Sequence, residues 1–356
     1  VLTNPSFSDR VHGCLLGGAL GDALGFAVEN LDLEAIRAAY GPAGLTSPTQ
    51  LQEVFRFSDD TQLSLYTVDG LVDAIQWAND GVAADETACL WLAYLRWLAT
   101  QGETPPSSAP VAPPRWIDAQ EVLQHRRRPG TACLSGLRSG EMGTQSRPVN
   151  PEAKGSGTVM RSAPFGLVPH IPVEVADRLA MNAAALTHGH PAALHGAAVM
   201  AVLIHGIVRD EMSLREAVSA AVARAHSSSV PELAQLLETA VQLADDGGSP
   251  EQMSAALGGG WTADEAVAIA IYAVLASEAG AGPAGSATGP EQHFRTAIAL
   301  AINHDGDSDT TGSLTGNILG ALYGRDGLPA SWSAVLEGAD VVGTMASLLV
   351  DTTSTG

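Results

Sequence analysis

The sequence predicts an all-α fold, a compact single domain built as a bundle of many helices over residues 1–356. Three observations carry this. Apolar residues recur at helical spacing along almost the whole chain. Aromatics are only 5%, and Ala and Leu dominate the 46% hydrophobic share, which favours helices over β-sandwiches. No alternating run is strong enough for a central strand.

The elements follow in order. Residues 6–27 form an apolar helix whose glycines permit close helix–helix approach. Residues 59–79 place Leu63, Leu65, Val68, Leu71, Val72 and Ile75 in helical period, with Ser58 at the N-cap. Residues 84–100 continue with Leu90, Leu92, Leu95 and Leu98. Further helices are predicted near 117–124, 130–139, 173–186, 191–208, 213–226, 231–245, 262–279, 290–303, 309–323 and 338–350. Pro172, Pro191, Pro231, Pro250, Pro283 and Pro290 suit their boundaries or first turns. Residues 101–115 hold five prolines and read as an exposed connection. Residues 140–170 are rich in Gly, Ser, Pro and Asn, and an irregular segment of that length is often functional. Residues 280–289 read as a small Gly/Ala/Ser loop. Similar Ala/Leu helices flank each interruption, so no domain boundary is expected.

Lys and Arg number 18 against 39 Asp and Glu, a net charge of −21. That balance opposes general nucleic-acid binding and anionic membrane surfaces. No apolar run reads as a membrane span. Cys14, Cys89 and Cys133 are odd in number and far apart. No disulfide framework or zinc site is expected, and a cytoplasmic location is. The flank of the apolar stretch 14–28 has no basic n-region of a signal peptide.

Most acids are scattered singly and read as a solvated coat. Two clusters differ. Phe57-Ser58-Asp59-Asp60-Thr61-Gln62 opens a strongly apolar helix, and it reads either as helix capping or as a hard-cation site. Asn303-His304-Asp305-Gly306-Asp307-Ser308-Asp309-Thr310-Thr311-Gly312 has three aspartates at spacing two. It is not an EF-hand, because the sixth position from Asp305 is Thr310 and the twelfth is Gly316. Three close carboxylates in apolar surroundings repel unless a cation neutralises them. All-oxygen ligation points to Mg²⁺ or Mn²⁺. Asp22, within an apolar helix, reads as a partner of a neighbouring helix end. Glu29 reads as a surface acid, or as an acid, base or substrate-orienting group beside a metal. Gly155-Ser156-Gly157-Thr158-Val159 reads as a flexible loop or a diphosphate cradle, without the pattern of a Walker A motif. His188-Gly189-His190-Pro191 reads as an interhelix turn or a polar contact to a phosphate or ribose.

Taken together these segments resemble the ADP-ribosylglycohydrolase family. The matching stretches are GCLLGGALGDALGFAVE at 13–29, SDDTQ at 58–62, GSGTVMR at 155–161, HGHP at 188–191 and NHDGDSDTTGSLTGNILGALYG at 303–324. The resemblance implies a binuclear Mg²⁺ or Mn²⁺ centre held by Ser58, Asp59, Asp60, Asp307, Asp309 and Thr310. Ser58 stands where the family usually has Thr, and Ser156 where it often has Asn. Asp305 falls outside the ligand set the resemblance implies and is expected just behind it. Glu29, Asp60 and Asp309 are expected to carry the chemistry. Gly155, Ser156, Gly157, Thr158 and Val159 are expected to wrap the diphosphate, with His188 near the phosphates or distal ribose and Tyr272 stacking on adenine.

The implied reaction is hydrolysis at the anomeric carbon of ADP-ribose, on an arginine-linked or related adduct of a protein or small molecule. A monomer is expected. Two rival readings are a metal-stabilised ADP-ribose reader without catalysis and a terpenoid-synthase-like Mg²⁺-diphosphate enzyme. The 5% aromatic content and the absent DDxxD signature oppose the latter.

Overall fold

The computed structural model of the chain describes residues 4–278 and 289–354. The loop predicted at 280–289 lies, but for its last residue, outside the described residues. Sixteen α-helices are present among them. The first eight are α1 (Phe7–Phe26), α2 (Leu33–Tyr40), α3 (Asp59–Asn79), α4 (Glu86–Thr100), α5 (Thr131–Arg138), α6 (Ala163–Gly166), α7 (Val173–Ala185) and α8 (Pro191–Arg209). Then come α9 (Leu214–His226), α10 (Pro231–Asp245), α11 (Pro250–Leu257), α12 (Ala263–Ala276), α13 (Pro290–Ile302), α14 (Ser308–Tyr323), α15 (Ala330–Ser333) and α16 (Ala339–Ser354). Among the described residues there is no sheet, only two isolated β-bridges.

The helices surround one apolar core, at whose centre α1, α8, α12 and α14 are buried on nearly every face. Helix α8 departs from the expectation that nothing resembles a membrane span. It is long and apolar enough to cross one, but 89% of its apolar window is buried inside the protein, as befits a central core helix. The segment expected as a helix at 117–124 is two 3₁₀ turns, Trp116–Ala119 and Glu121–Leu123. Residues 140–170 are less irregular than expected, since they hold a 3₁₀ helix (Ser156–Arg161) and α6. Helices α2 and α11 were not expected. Each has eight residues and buries one or two side chains, too little for a clear period.

Helix α1 positions both acidic motifs. Along one side, Gly13, Gly17, Gly21 and Gly25 lie against the backbone of α14 at Gly320, Gly316, Gly312 and Ser308. A Cβ at any of these α1 glycines would fall well inside the 3.0 Å that real Cβ contacts keep. Antiparallel contact this close carries the C-terminal end of α1 to the start of α14. On α1, Asp22 turns toward α3. Its carboxylate accepts from the backbone N–H of Ser58 (2.9 Å) and Thr61 (2.9 Å) and from the Thr61 hydroxyl (2.5 Å). The buried carboxylate is thereby a cap for α3 supplied by another helix, as its sequence surroundings suggested. Burial raises its pKa to about 6, with the bonds from Thr61 and Ser58 opposing.

Asp22→Ala strands those buried donors. It is expected to lower unfolding free energy by about 3 kcal/mol, measured by urea titration, with a smaller loss for Thr61→Val.

Candidate active site

One cleft of about 260 Å³ is lined by Glu29, Asp59, Asp60, Gly155, Ser156, Gly157, His188, Asp307, Asp309 and Thr310, residues far apart in sequence. Ser58 lies buried at the start of α3, its hydroxyl accepting from the Asp60 N–H at 3.1 Å. Each acidic motif sits at a helix N-terminus: Asp59 and Asp60 in the first turn of α3, Asp307 at the N-cap position of α14, and Asp309 in its first turn. Free N–H groups there favour negative charge.

The carboxylates are crowded and dry. Asp59, Asp60, Asp307 and Asp309 are each no more than 5% exposed. Burial, with repulsion among the acids, pushes Asp60 and Asp309 well above the usual carboxylate range. Burial also raises Asp59, against the Gly130 N–H that donates to it at 3.3 Å, and Asp307, against hydrogen bonds that include the Ser156 hydroxyl at 2.5 Å. Asp60 Oδ2 is buried and has no hydrogen-bond partner among the described residues.

Glu29 follows α1 in a turn and is mostly buried. Burial raises its pKa while an ion pair with Arg128, Nη1 to Oε2 at 2.7 Å, opposes that rise. Arg128 lies over the Phe26 ring, and its backbone is in the left-handed region at φ 58°.

Several expectations need correction. Thr158 and Val159 do not line the cleft. The Thr158 hydroxyl donates to the Ala193 carbonyl at 2.9 Å and Val159 is wholly buried in the core, so the loop turned to the cleft is the shorter Gly155–Gly157. Tyr272 is outside the cleft too. Its ring is buried in α12 and its hydroxyl donates to the Gly248 carbonyl at 2.6 Å, so it is a core residue unable to stack on a base there. Asp305 is exposed and accepts from the Leu33 N–H at 2.5 Å. It fastens the start of α2, just after the turn that carries Glu29.

Sequence reasoning missed the segment Gly258-Gly259-Gly260-Trp261. The Trp261 carbonyl accepts from the Ser156 N–H at 3.1 Å, and the Gly259 carbonyl from the Asp307 N–H at 2.8 Å. It therefore ties the Gly155 loop to the second acidic motif. Gly258 and Gly260 have φ of 87° and 80°, which explains the glycines. Trp261 is 48% exposed at the rim of the cleft. Three glycines before an aromatic were the available signal. His125-Arg126-Arg127-Arg128 was also unread. Arg126 bonds the Gln101 carbonyl and Glu103, Arg127 the Phe57 carbonyl and Glu337, and Arg128 the Phe26 carbonyl and Glu29.

A profile of the ADP-ribosylglycohydrolase family matches residues 3–355. The chain belongs to that family. It is similar, at 25% identity, to the ADP-ribosylhydrolase ARH3 of Danio rerio, over 96% of this chain and 90% of that one. It is 25% identical to the ADP-ribosyl-[dinitrogen reductase] glycohydrolase of Rhodospirillum rubrum, over 94% and 93% of the two chains. The same identity relates it to the ADP-ribosylarginine hydrolase Tri1 of Pseudomonas putida, over 93% of this chain and 75% of that one. Among solved structures, an ADP-ribosylglycohydrolase-related protein complex shares the fold, with a TM-score of 0.63 over 98% of this chain and 99% of that one at 24% identity. Membership of this family replaces the terpenoid-synthase reading.

Proposed function

We propose that this ADP-ribosylglycohydrolase is a divalent-metal-dependent hydrolase that cleaves the bond between the anomeric carbon of ADP-ribose and an acceptor. One observation carries the reading. Four buried carboxylates, at the starts of two helices, face the same cleft as a glycine loop, a neutral histidine and a partly buried glutamate. The relatives named as acting on ADP-ribosylated groups give the substrate class.

The residues fit two Mg²⁺ or Mn²⁺ ions chemically. Asp59, Asp60, Asp307 and Asp309 offer hard oxygen donors, Ser58 and Thr310 offer hydroxyls, and Asp60 Oδ2 is buried without a partner. Among the described residues no three His, Cys, Asp or Glu side chains form a finished ion cage, so the hydroxyl oxygens would help complete the shell. When bound, such ions orient sugar hydroxyls and lower the pKa of a water. The chain does the rest. The Gly155–Gly157 backbone takes the diphosphate. Glu29, once free of Arg128, orients the ribose or moves a proton at the breaking bond.

Trp261 offers the cleft an exposed ring to stack on a base. Trp261→Ala is expected to raise KM about tenfold with kcat little changed, because stacking on a base is worth roughly 1–3 kcal/mol.

The deciding experiment is an assay of free ADP-ribose release from arginine-, serine- and acyl-linked adducts with Mg²⁺ and with Mn²⁺. Release from at least one adduct, lost on chelation, is expected. Full turnover in metal-free buffer would overturn the metal requirement. Tight ADP-ribose binding without cleavage of any adduct would make the protein a reader.

A further inference from the structure

His188 lines the cleft, yet its ring state is set by residues behind it. Arg161 is 1% exposed, and among the described residues no carboxylate bonds it. Its guanidinium lies over the Tyr94 ring, 4.6 Å from the centroid, and donates to the Cys133 sulfur at 3.5 Å and the Ala183 carbonyl at 3.2 Å. A third bond, from Nη2, reaches the Thr187 hydroxyl at 2.7 Å. Thr187 Oγ1 is in turn 2.7 Å from His188 Nδ1.

The donor inventory fixes the direction of this chain. Arginine keeps its charge and can only donate, so Thr187 Oγ1 accepts from it. The hydroxyl has one proton left. Its options are the Ala184 carbonyl at 3.5 Å, the limit of a hydrogen bond, and His188 Nδ1 at 2.7 Å. The short bond takes it, so Nδ1 accepts and the ring proton of a neutral imidazole sits on Nε2. Nε2 lies against the glycine loop: a Cβ built on Gly157 would meet it at 3.3 Å, and one on Gly155 at 3.5 Å.

We propose that Arg161 and Thr187 are positioning residues that hold His188 as its Nε2–H tautomer, a fixed hydrogen-bond donor to an oxygen of ADP-ribose bound at the Gly155–Gly157 loop. The proposal rests on the reading of this cleft as the ADP-ribose site. Burial keeps the ring neutral, with a pKa lowered to about 3 and the Arg161 charge adding to the shift. A neutral ring that could flip its proton between nitrogens would be a weaker and less selective donor. The buried arginine, which can only donate, removes that freedom from behind the ring.

The test uses the full chain labelled with ¹⁵N-histidine, with His188→Asn assigning its ring signals. The wild type is expected to show a protonated Nε2 and an unprotonated Nδ1 at neutral pH. Thr187→Val, which keeps the shape and loses the hydroxyl, is expected to mix the tautomers. It is also expected to weaken ADP-ribose binding by calorimetry about tenfold, the worth of one charge-assisted hydrogen bond. Thr187→Ser restores both; Arg161→Gln at unchanged thermal stability repeats the tautomer mixing. A protonated Nδ1 in the wild type overturns the proposal, as does a Thr187→Val protein with unchanged affinity. Wild-type protein that shows the Nε2–H tautomer but fails to bind ADP-ribose overturns the reading of the site instead, because the ring signals report the relay without any ligand.

Discussion

Asp309→Asn is expected to cut ADP-ribose release about 10³-fold and, in metal-free buffer at neutral pH, to make the protein more stable. Both halves follow from one geometry. Asp309 is buried beside Asp60 and Asp307, and its pKa is raised well above the carboxylate range by burial first and by those neighbours second. The sign follows from linkage. A group whose pKa is higher folded than unfolded gives stability that is full below the unfolded pKa, near 3.8, and lost as pH rises through the folded value. Above that window the ionised carboxylate works against the fold, and Asn, which cannot ionise, removes the cost. The melting temperature of Asp309→Asn should therefore exceed the wild type's by roughly a few degrees at pH 7–8. The gain should vanish near pH 4. Saturating Mg²⁺ or Mn²⁺ should reverse the order, because only the wild type keeps the full donor set. Activity moves the other way. On the proposed metal-dependent reading, loss of this ligand charge removes several kcal/mol of transition-state stabilisation, so kcat/KM should fall about 10³-fold. Asp60→Asn should behave alike, since Asp60 Oδ2 is buried without a partner. A variant less stable than the wild type in chelator at pH 8 would show that these carboxylates hold the fold together instead of a metal site.

The acidic motifs were legible in sequence because two aspartate-rich helix starts in an apolar chain have few uses. Adjacent Asp59 and Asp60 exceed what capping needs, and the triple aspartate at spacing two fits no helix face. What the sequence concealed was the side of each element that turns to the cleft. Thr158 and Val159 share a 3₁₀ helix with Ser156 and Gly157, yet that turn sends them into the core. Tyr272 lies in a helix buried on nearly every face, where an aromatic ring is ordinary packing. Trp261 escaped because its role depends on pairing between two loops, Gly155 with Thr262, about a hundred positions apart. Arg128 escaped because a run of arginines reads as a solvated patch, whereas here each one bonds a different segment and Arg128 reaches the cleft through Glu29. The long helices needed only local pattern. Helices α2 and α11 had almost no pattern to read, since so little of either is buried.

The larger stability effect is expected from a residue with no chemistry. Gly316→Ala should leave little soluble folded protein, and Gly17→Ala should do the same. A Cβ on Gly316 would collide with the Gly17 carbonyl oxygen and lie about 2.5 Å from its carbon. Neither is the end of a flexible side chain, so the helices themselves must separate. Single overpacked methyl groups in cores cost about 1–3 kcal/mol when side chains can shift, and more when backbone must. Separation here also opens a seam that runs from Gly13 to Gly25 and unseats every other glycine pair along it. The consequence reaches the site. Gly25 packs on the Ser308 carbonyl and Asp22 caps α3, so spreading α1 from α14 pulls Asp307 and Asp309 away from Asp59, Asp60 and Glu29. Gly343→Ala in α16 is the matched control, because a Cβ there meets nothing within 4 Å and should leave the melting temperature unchanged or slightly higher. Circular dichroism melts of the three variants decide the matter. If Gly316→Ala melts within about 2 °C of the wild type, then α1 and α14 are not in the close register that brings the two halves of the site together.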